Sequence, residues 1–148
     1  MLKIEHIGIA VRDLAQSEEL FRKLLGAPAY KRETVATEGV TTSFFQTGVN
    51  KVELLESISP DGVIAKFIEK KGEGIHHIAF EVPDIVAEMK RLEAEGFVPL
   101  SSLPKRGADN KLVCFMHPKT TNGVLVELCQ TLADESSAEK IAPYGSQS

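Results

Sequence analysis

The sequence has no tryptophan, only two tyrosines and only two cysteines in 148 residues. Cys114 and Cys129 stand too far apart for a CxxC-type metal pair, and a chain this long needs no disulfide framework, so zinc-ribbon and disulfide-stapled classes drop out. An excess of positive charge is also missing. Lys plus Arg number 17 against 21 Asp plus Glu, a net charge of -4, which leaves no cationic field to recruit nucleic acid or an anionic membrane. No apolar run approaches the roughly 20 residues that span a bilayer. The start, Met1-Leu2-Lys3-Ile4-Glu5-His6, lacks the basic flank, apolar core and cleavage site of a signal peptide. These absences point to a small-molecule partner and to a cytoplasmic protein with reduced thiols. What is present, 43% hydrophobic and 26% charged residues, is ordinary for a globular chain, and the length suits one core rather than two.

The chain repeats itself. His6-Ile7-Gly8-Ile9-Ala10-Val11-Arg12-Asp13-Leu14 aligns with His77-Ile78-Ala79-Phe80-Glu81-Val82-Pro83-Asp84-Ile85 at a constant offset of 71, from 6 to 77. Each copy alternates apolar residues at period two, which predicts a half-buried strand, and reaches an Asp suited to cap a helix. Leu14, Leu20, Phe21, Leu24 and Leu25 then recur at helical spacing before Gly26, and Ile85, Met89 and Leu92 before Gly96. Extended stretches follow at Thr41 to Gln46 and Lys111 to Met116. After turn-rich segments come last strands, Val52-Glu53-Leu54-Leu55 and Val126-Glu127-Leu128-Cys129, whose Val-Glu-Leu triplets lie 74 apart, from 53 to 127. Ser59-Pro60-Asp61 and the apolar run from Val63 to Ile68 predict a capped connecting helix closed by Gly72 and Gly74. The expected organisation is one domain over 1–132, with module one at about 1–58, a linker helix at 59–72 and module two at about 74–132, then a polar tail at 133–148.

Strand alternation places His6 with Gly8 and Ala10 on one face and Ile7, Ile9 and Val11 on the other, and it treats His77 and Ala79 in the same way. Glu53 and Glu127 likewise point away from their flanking aliphatics. A single strand histidine or glutamate is ordinarily structural or solvated. A His-plus-Glu pair that recurs in both halves indicates a shared task, and two imidazoles with two carboxylates suit Co, Ni, Zn, Mn or Fe. His76, adjacent to His77, is expected on the opposite face as a structural residue. His117 reads as a turn residue. Lys105, Arg106, Lys111 and Lys119 are candidate contacts for anionic groups, against a plainer reading as surface cations. Gly72-Glu73-Gly74 precedes a strand and is not a phosphate-binding loop.

These residues resemble the vicinal-oxygen-chelate superfamily. From Ile4 to Gln130 the chain is similar to its methylmalonyl-CoA epimerase family, most specifically at Ile64-Ala65-Lys66-Phe67, Gly72 to Val82, Phe115-Met116-His117-Pro118-Lys119 and Gly123 to Leu128. The resemblance implies an α+β fold of two paired βαβββ modules curling into a half-open sheet around a metal, commonly as a homodimer. It implies metal ligands at His6, Glu53, His77 and Glu127, with cobalt first among Co, Mn, Ni and Zn. The implied reaction is proton transfer at C2 of methylmalonyl-CoA, with Glu127 and Glu53 as candidate bases on the two faces and Lys111, His117 and Lys119 as candidate substrate contacts. The chain departs from the family pattern in two places. Some members have Gln at the position of Glu53, and some carry a further carboxylate a few positions past the equivalent of Gly39, where this chain has Thr41, Thr42 and Ser43. A glyoxalase-I-type lyase shares the ligand set, and a ring-cleaving dioxygenase would find a fourth ligand unwelcome. A metal-free ligand-binding module would not need the ligands at all.

Overall fold

The computed structural model describes residues 2–133, so the expected tail lies outside the described residues from Asp134 onward. The chain runs β1 (Lys3–Ala10), α1 (Leu14–Leu25), β2 (Lys31–Val35), β3 (Val40–Thr47), β4 (Asn50–Ser57), α2 (Val63–Lys71), β5 (Gly74–Glu81), α3 (Ile85–Ala94), β6 (Lys105–Gly107), β7 (Lys111–Met116) and β8 (Val126–Thr131). Short 3-10 turns sit at Ala36–Glu38 and Pro118–Thr120. The α+β class and the duplicated order of strand, helix and three strands follow the sequence pattern. The short strands β2 and β6 carry no clear apolar alternation and were not legible in it.

Asp13 and Asp84 act as anticipated. Their carboxylates accept from the Gln16 N–H at 3.0 Å and the Ala87 N–H at 3.1 Å, satisfying helix-start donors that water would otherwise have to reach. Gly26 ends α1 with φ +78°, a left-handed conformation that glycine adopts without Cβ strain, and its N–H donates to the Arg22 carbonyl. Leu14 and Phe21 of α1 pack on Ile9, Val11, Phe45 and Leu54, while Ile85, Met89 and Leu92 of α3 pack on Val82, Cys114, Met116 and Leu128. Only part of the α1 stripe is used, since Leu20 and Leu24 remain exposed.

The connecting helix begins differently from the expectation. Its N-cap is Gly62 with no side-chain bond, rather than a residue of Ser59-Pro60-Asp61. The Ser57 hydroxyl donates to the Ser59 carbonyl at 2.7 Å, pulling the turn so tight that a Cβ on Gly62 would lie 2.3 Å from that hydroxyl oxygen. Ile64 and Ile68 of α2 then pack on Ala10, Val35, Val40 and Leu55.

All eight strands form one sheet in the order β2-β3-β4-β1-β5-β8-β7-β6. Each module pairs its first and last strands in parallel, β1 with β4 and β5 with β8, and the modules join through antiparallel β1 and β5. The sheet curls until its two ends approach. The turn after β6 brings Asp109 to Lys31 of β2 at 2.6 Å and to Lys51 of β4, and the Asp109 N–H donates to Glu33 at 2.9 Å. This polar clasp holds the carboxyl of Asp109 below its ordinary value: burial opposes the charge, and the bonds to Lys31 and Lys51 outweigh it.

Candidate metal centre and cavity

Strand register, rather than proximity in sequence, assembles the site. Across the central antiparallel pair His6 faces Ala79 and Gly8 faces His77, while Glu53 lies beside Gly8 and Glu127 beside Ala79. Lateral neighbours in a sheet project from the same face, so all four side chains converge over two small residues. The smallness is required. A Cβ on Gly8 would fall 2.2 Å from Cε1 of His77, so the imidazole occupies the space that any side chain would fill.

Nε2 of His6 lies 3.0 Å from Nε2 of His77, and Oε1 of Glu127 lies 3.0 Å from the latter and 3.5 Å from the former. Nitrogen and oxygen ligands about 2.1 Å from an ion stand about 3.0–3.4 Å apart at right-angle to tetrahedral bond angles, so this trio fits a divalent metal. Glu53 is placed differently. Its Oε2 lies 2.9 Å from Nδ1 of His6, on the far side of the ring from the trio, where Glu5 also sits at 2.9 Å. His6, His77, Glu53 and Glu127 are all nearly inaccessible to solvent.

The protonation of His6 and Glu127 is set by their partners against that burial. Burial disfavours an imidazolium at His6, but hydrogen bonds with Glu127, Glu5 and Glu53 outweigh it and push its pKa up to about 12. Burial similarly favours a neutral Glu127, yet the two imidazoles pull its carboxyl down to about 2. Glu127 is therefore held as a carboxylate, the form in which it can ligate a divalent cation.

The cavity beside the cluster has a volume of about 270 Å³. Its apolar wall includes Val40, Leu55, Ile64, Val113, Phe115 and Leu125, and its polar lining includes Glu38, Lys105 and Lys111 besides the four converging residues. Thr42 also lines it, and its buried hydroxyl has no hydrogen-bond partner among the described residues. Lys111 is almost fully buried, with its ammonium donating to the Thr131 hydroxyl at 2.8 Å. His117 and Lys119 do not line the cavity. Nδ1 of His117 instead accepts the Lys119 N–H at 3.1 Å, capping the second 3-10 turn.

Three residues of the site escaped the sequence reading. Glu38 ends the first 3-10 turn, immediately before Gly39 rather than past it, and a Cβ on Gly107 would lie 2.9 Å from its Oε1. A three-residue turn has no period by which to orient its side chains, so only the curling of β6 over β2 identifies Glu38 as a wall of the cavity. Its carboxyl is raised above the ordinary value, by burial first and then by the nearby charge of Glu127. Glu5 and His76 were missed for another reason. The β1–β5 ladder slips between Ile4 and His6 and again between Gly8 and Ile9, leaving Glu5 and His76 as the extra residue of two bulges. His76 therefore does not take the opposite face expected of it. Its Nδ1 lies 2.9 Å from Nδ1 of His77, and burial, then the charge of His77, pushes its pKa down to about 4.

Residues 5–115 match the family model described as Glyoxalase/Bleomycin resistance protein/Dioxygenase superfamily. The chain is 42% identical over 130 residues to an ethylmalonyl-CoA/methylmalonyl-CoA epimerase of Cereibacter sphaeroides, covering 86% of this chain and 97% of that protein. It is 37% identical over 135 residues to an uncharacterised Bacillus subtilis protein, covering 91% and 96%. A Streptomyces coelicolor methylmalonyl-CoA epimerase variant in complex with 2-nitronate-propionyl-CoA matches with a TM-score of 0.83 at 34% identity, covering 88% of this chain and 98% of that one.

Proposed function

The chain belongs to the Glyoxalase/Bleomycin resistance protein/Dioxygenase superfamily, and from that premise we propose that it is a metal-dependent methylmalonyl-CoA epimerase. One observation carries the reading. A single cavity joins the cluster of His6, His77 and Glu127 to a separate carboxyl, Glu38, whose proton affinity is raised. The similarity to epimerases over nearly the whole chain supports the substrate class.

The proton on C2 between a thioester and a carboxylate is weakly acidic, and its removal leaves negative charge that must be stabilised. His6, His77 and Glu127 would hold a divalent ion, cobalt before manganese, nickel or zinc, which would supply Lewis acidity to stabilise that charge. Inversion requires a proton acceptor on one face of the planar carbanion and a proton donor on the other, the two roles exchanging with the direction of reaction. Glu38 serves one face, because a carboxyl with raised proton affinity is a better base near neutral pH than a depressed one. Glu127, which also lines the cavity, serves the other. Glu53, the sequence-based candidate for the second base, passes that role to Glu38 and flanks His6. Lys111, the buried cation of the cavity, faces the substrate carboxylate. The apolar wall excludes water from the carbanion. The enzyme is expected to work as a cytoplasmic homodimer.

Incubating the protein with (S)-methylmalonyl-CoA and divalent metal in D2O tests the reading. The expected result is the (R) form with deuterium at C2. Turnover of methylglyoxal hemithioacetal alone would instead establish a glyoxalase-type lyase.

A further inference from the structure

The two bulges of the central ladder are related by the internal repeat. Glu5 precedes His6 as His76 precedes His77, and in each case the bulge turns the preceding residue toward the Nδ1 of its neighbour. Without a bulge, residues adjacent in a strand point to opposite faces. Oε1 of Glu5 accepts from Nδ1 of His6 at 2.9 Å, and Nδ1 of His76 meets Nδ1 of His77 at 2.9 Å. In both halves the preceding residue contacts Nδ1, at His6 beside Oε2 of Glu53 at the same 2.9 Å, and Nε2 is left facing the other imidazole and Glu127. Glu5 is itself fixed: its Oε2 lies 3.2 Å from Nζ of Lys51, Nζ of Lys111 lies 4.0 Å from its Oε1, and it is only 3% exposed. His76 is fixed by an edge-to-face contact with Phe67, ring centroids 4.9 Å apart.

We propose that Glu5 and His76 are paired positioning residues that select the Nε2-presenting orientation of His6 and His77 toward a metal ion, with Glu5 making His6 the stronger donor of the two. The proposal rests on the reading that His6, His77 and Glu127 hold the ion. An imidazole that donates Nδ1–H to a carboxylate has its tautomer and ring plane set and its Nε2 made more basic. A partner imidazole at His76 sets the plane of His77 without adding negative charge. The asymmetry between the halves is therefore chemical, although the backbone device is the same.

Cobalt is the probe. Co²⁺ affinity, measured by chelator competition, and the visible Co²⁺ spectrum are compared across the parent, Glu5→Ala, Glu5→Gln and His76→Gln, with thermal unfolding of each metal-free protein as a fold control. Glu5→Ala should weaken Co²⁺ by about 10–100-fold while leaving the band positions unchanged, because the ligand atoms are the same. Glu5→Gln, which keeps an acceptor without the charge, should recover part of the loss, and His76→Gln should weaken Co²⁺ less than Glu5→Ala does. Should Glu5→Ala fail to fold, the isosteric Glu5→Gln decides, with a loss of about threefold or more supporting the assignment. Affinity within about twofold of the parent in folded Glu5 variants would overturn the positioning role, since an orienting carboxylate has a larger effect. Bands displaced in Glu5→Gln would overturn it too, by making Glu5 a ligand. A parent protein that binds no Co²⁺ would refute the metal reading itself, whereas a parent that binds and Glu5 variants that bind equally well would refute only this inference.

Discussion

Replacing Glu38 with glutamine removes a proton acceptor and little else. The amide has nearly the shape of the carboxylic acid, so it fits the same wall against Gly107, where a Cβ would already lie 2.9 Å from Oε1. Burial is the chief cause of the raised carboxyl, so substituting a neutral amide relieves a desolvation cost and leaves the fold intact. The whole effect should therefore appear in catalysis. A positioned general base contributes about 10²–10⁴-fold, which corresponds to about 2.7–5.5 kcal/mol of barrier. The loss should be selective. With Glu127 still in place, one enantiomer of methylmalonyl-CoA should exchange its C2 proton for deuterium and return without inversion, while the other is left untouched. Mass spectrometry of the esters in D2O, with chiral analysis of the product, separates exchange from epimerisation. The parent should also lose kcat/KM as the pH falls through the raised value of Glu38, above its ordinary 4.5, and Glu38→Gln should lack that limb. Epimerisation within tenfold of the parent, or equal loss of exchange for both enantiomers, would refute the two-base reasoning.

Gly8→Ala should displace the His77 ring and weaken Co²⁺ by at least about tenfold with the fold retained, checked by chelator competition beside thermal unfolding. Thr42→Val should stabilise the substrate-free protein by about 1–2 kcal/mol, because it removes a buried hydroxyl that has no partner among the described residues, and a lower unfolding midpoint would contradict this. Asp109→Asn should cost about 1–2 kcal/mol by leaving Lys31 and Lys51 without their anion. The Asp109 carboxyl is depressed in the folded state, so its contribution is fully present above its ordinary 3.8 and is lost as the pH falls through the lower folded value. The gap between parent and variant in urea unfolding should accordingly close in that acid range. Saturating Co²⁺ at about 100 times its Kd should add about 2.7 kcal/mol and raise the midpoint by about 5–11 °C, and excess chelator should reverse the shift.

The sequence by itself determined what local rules and repetition can carry. Period-two alternation and the two capping aspartates marked β1, α1, β5 and α3, and the recurrence of His and Val-Glu-Leu selected four polar positions among many. Tertiary structure decided what depends on pairing between distant strands. The antiparallel register of β1 against β5 turned two equivalent faces into one site, with Gly8 and Ala79 giving the rings their space. The bulges at Glu5 and His76 broke the alternation on which the face assignment of His76 relied, and no propensity of those residues announces a bulge. Glu38 was hidden because its place depends on β6 curling over β2, a contact between segments far apart in the chain and recorded in neither segment alone. Periodicity assigns a side chain to a face of its own strand, and only closure of the sheet determines which distant groups share that face.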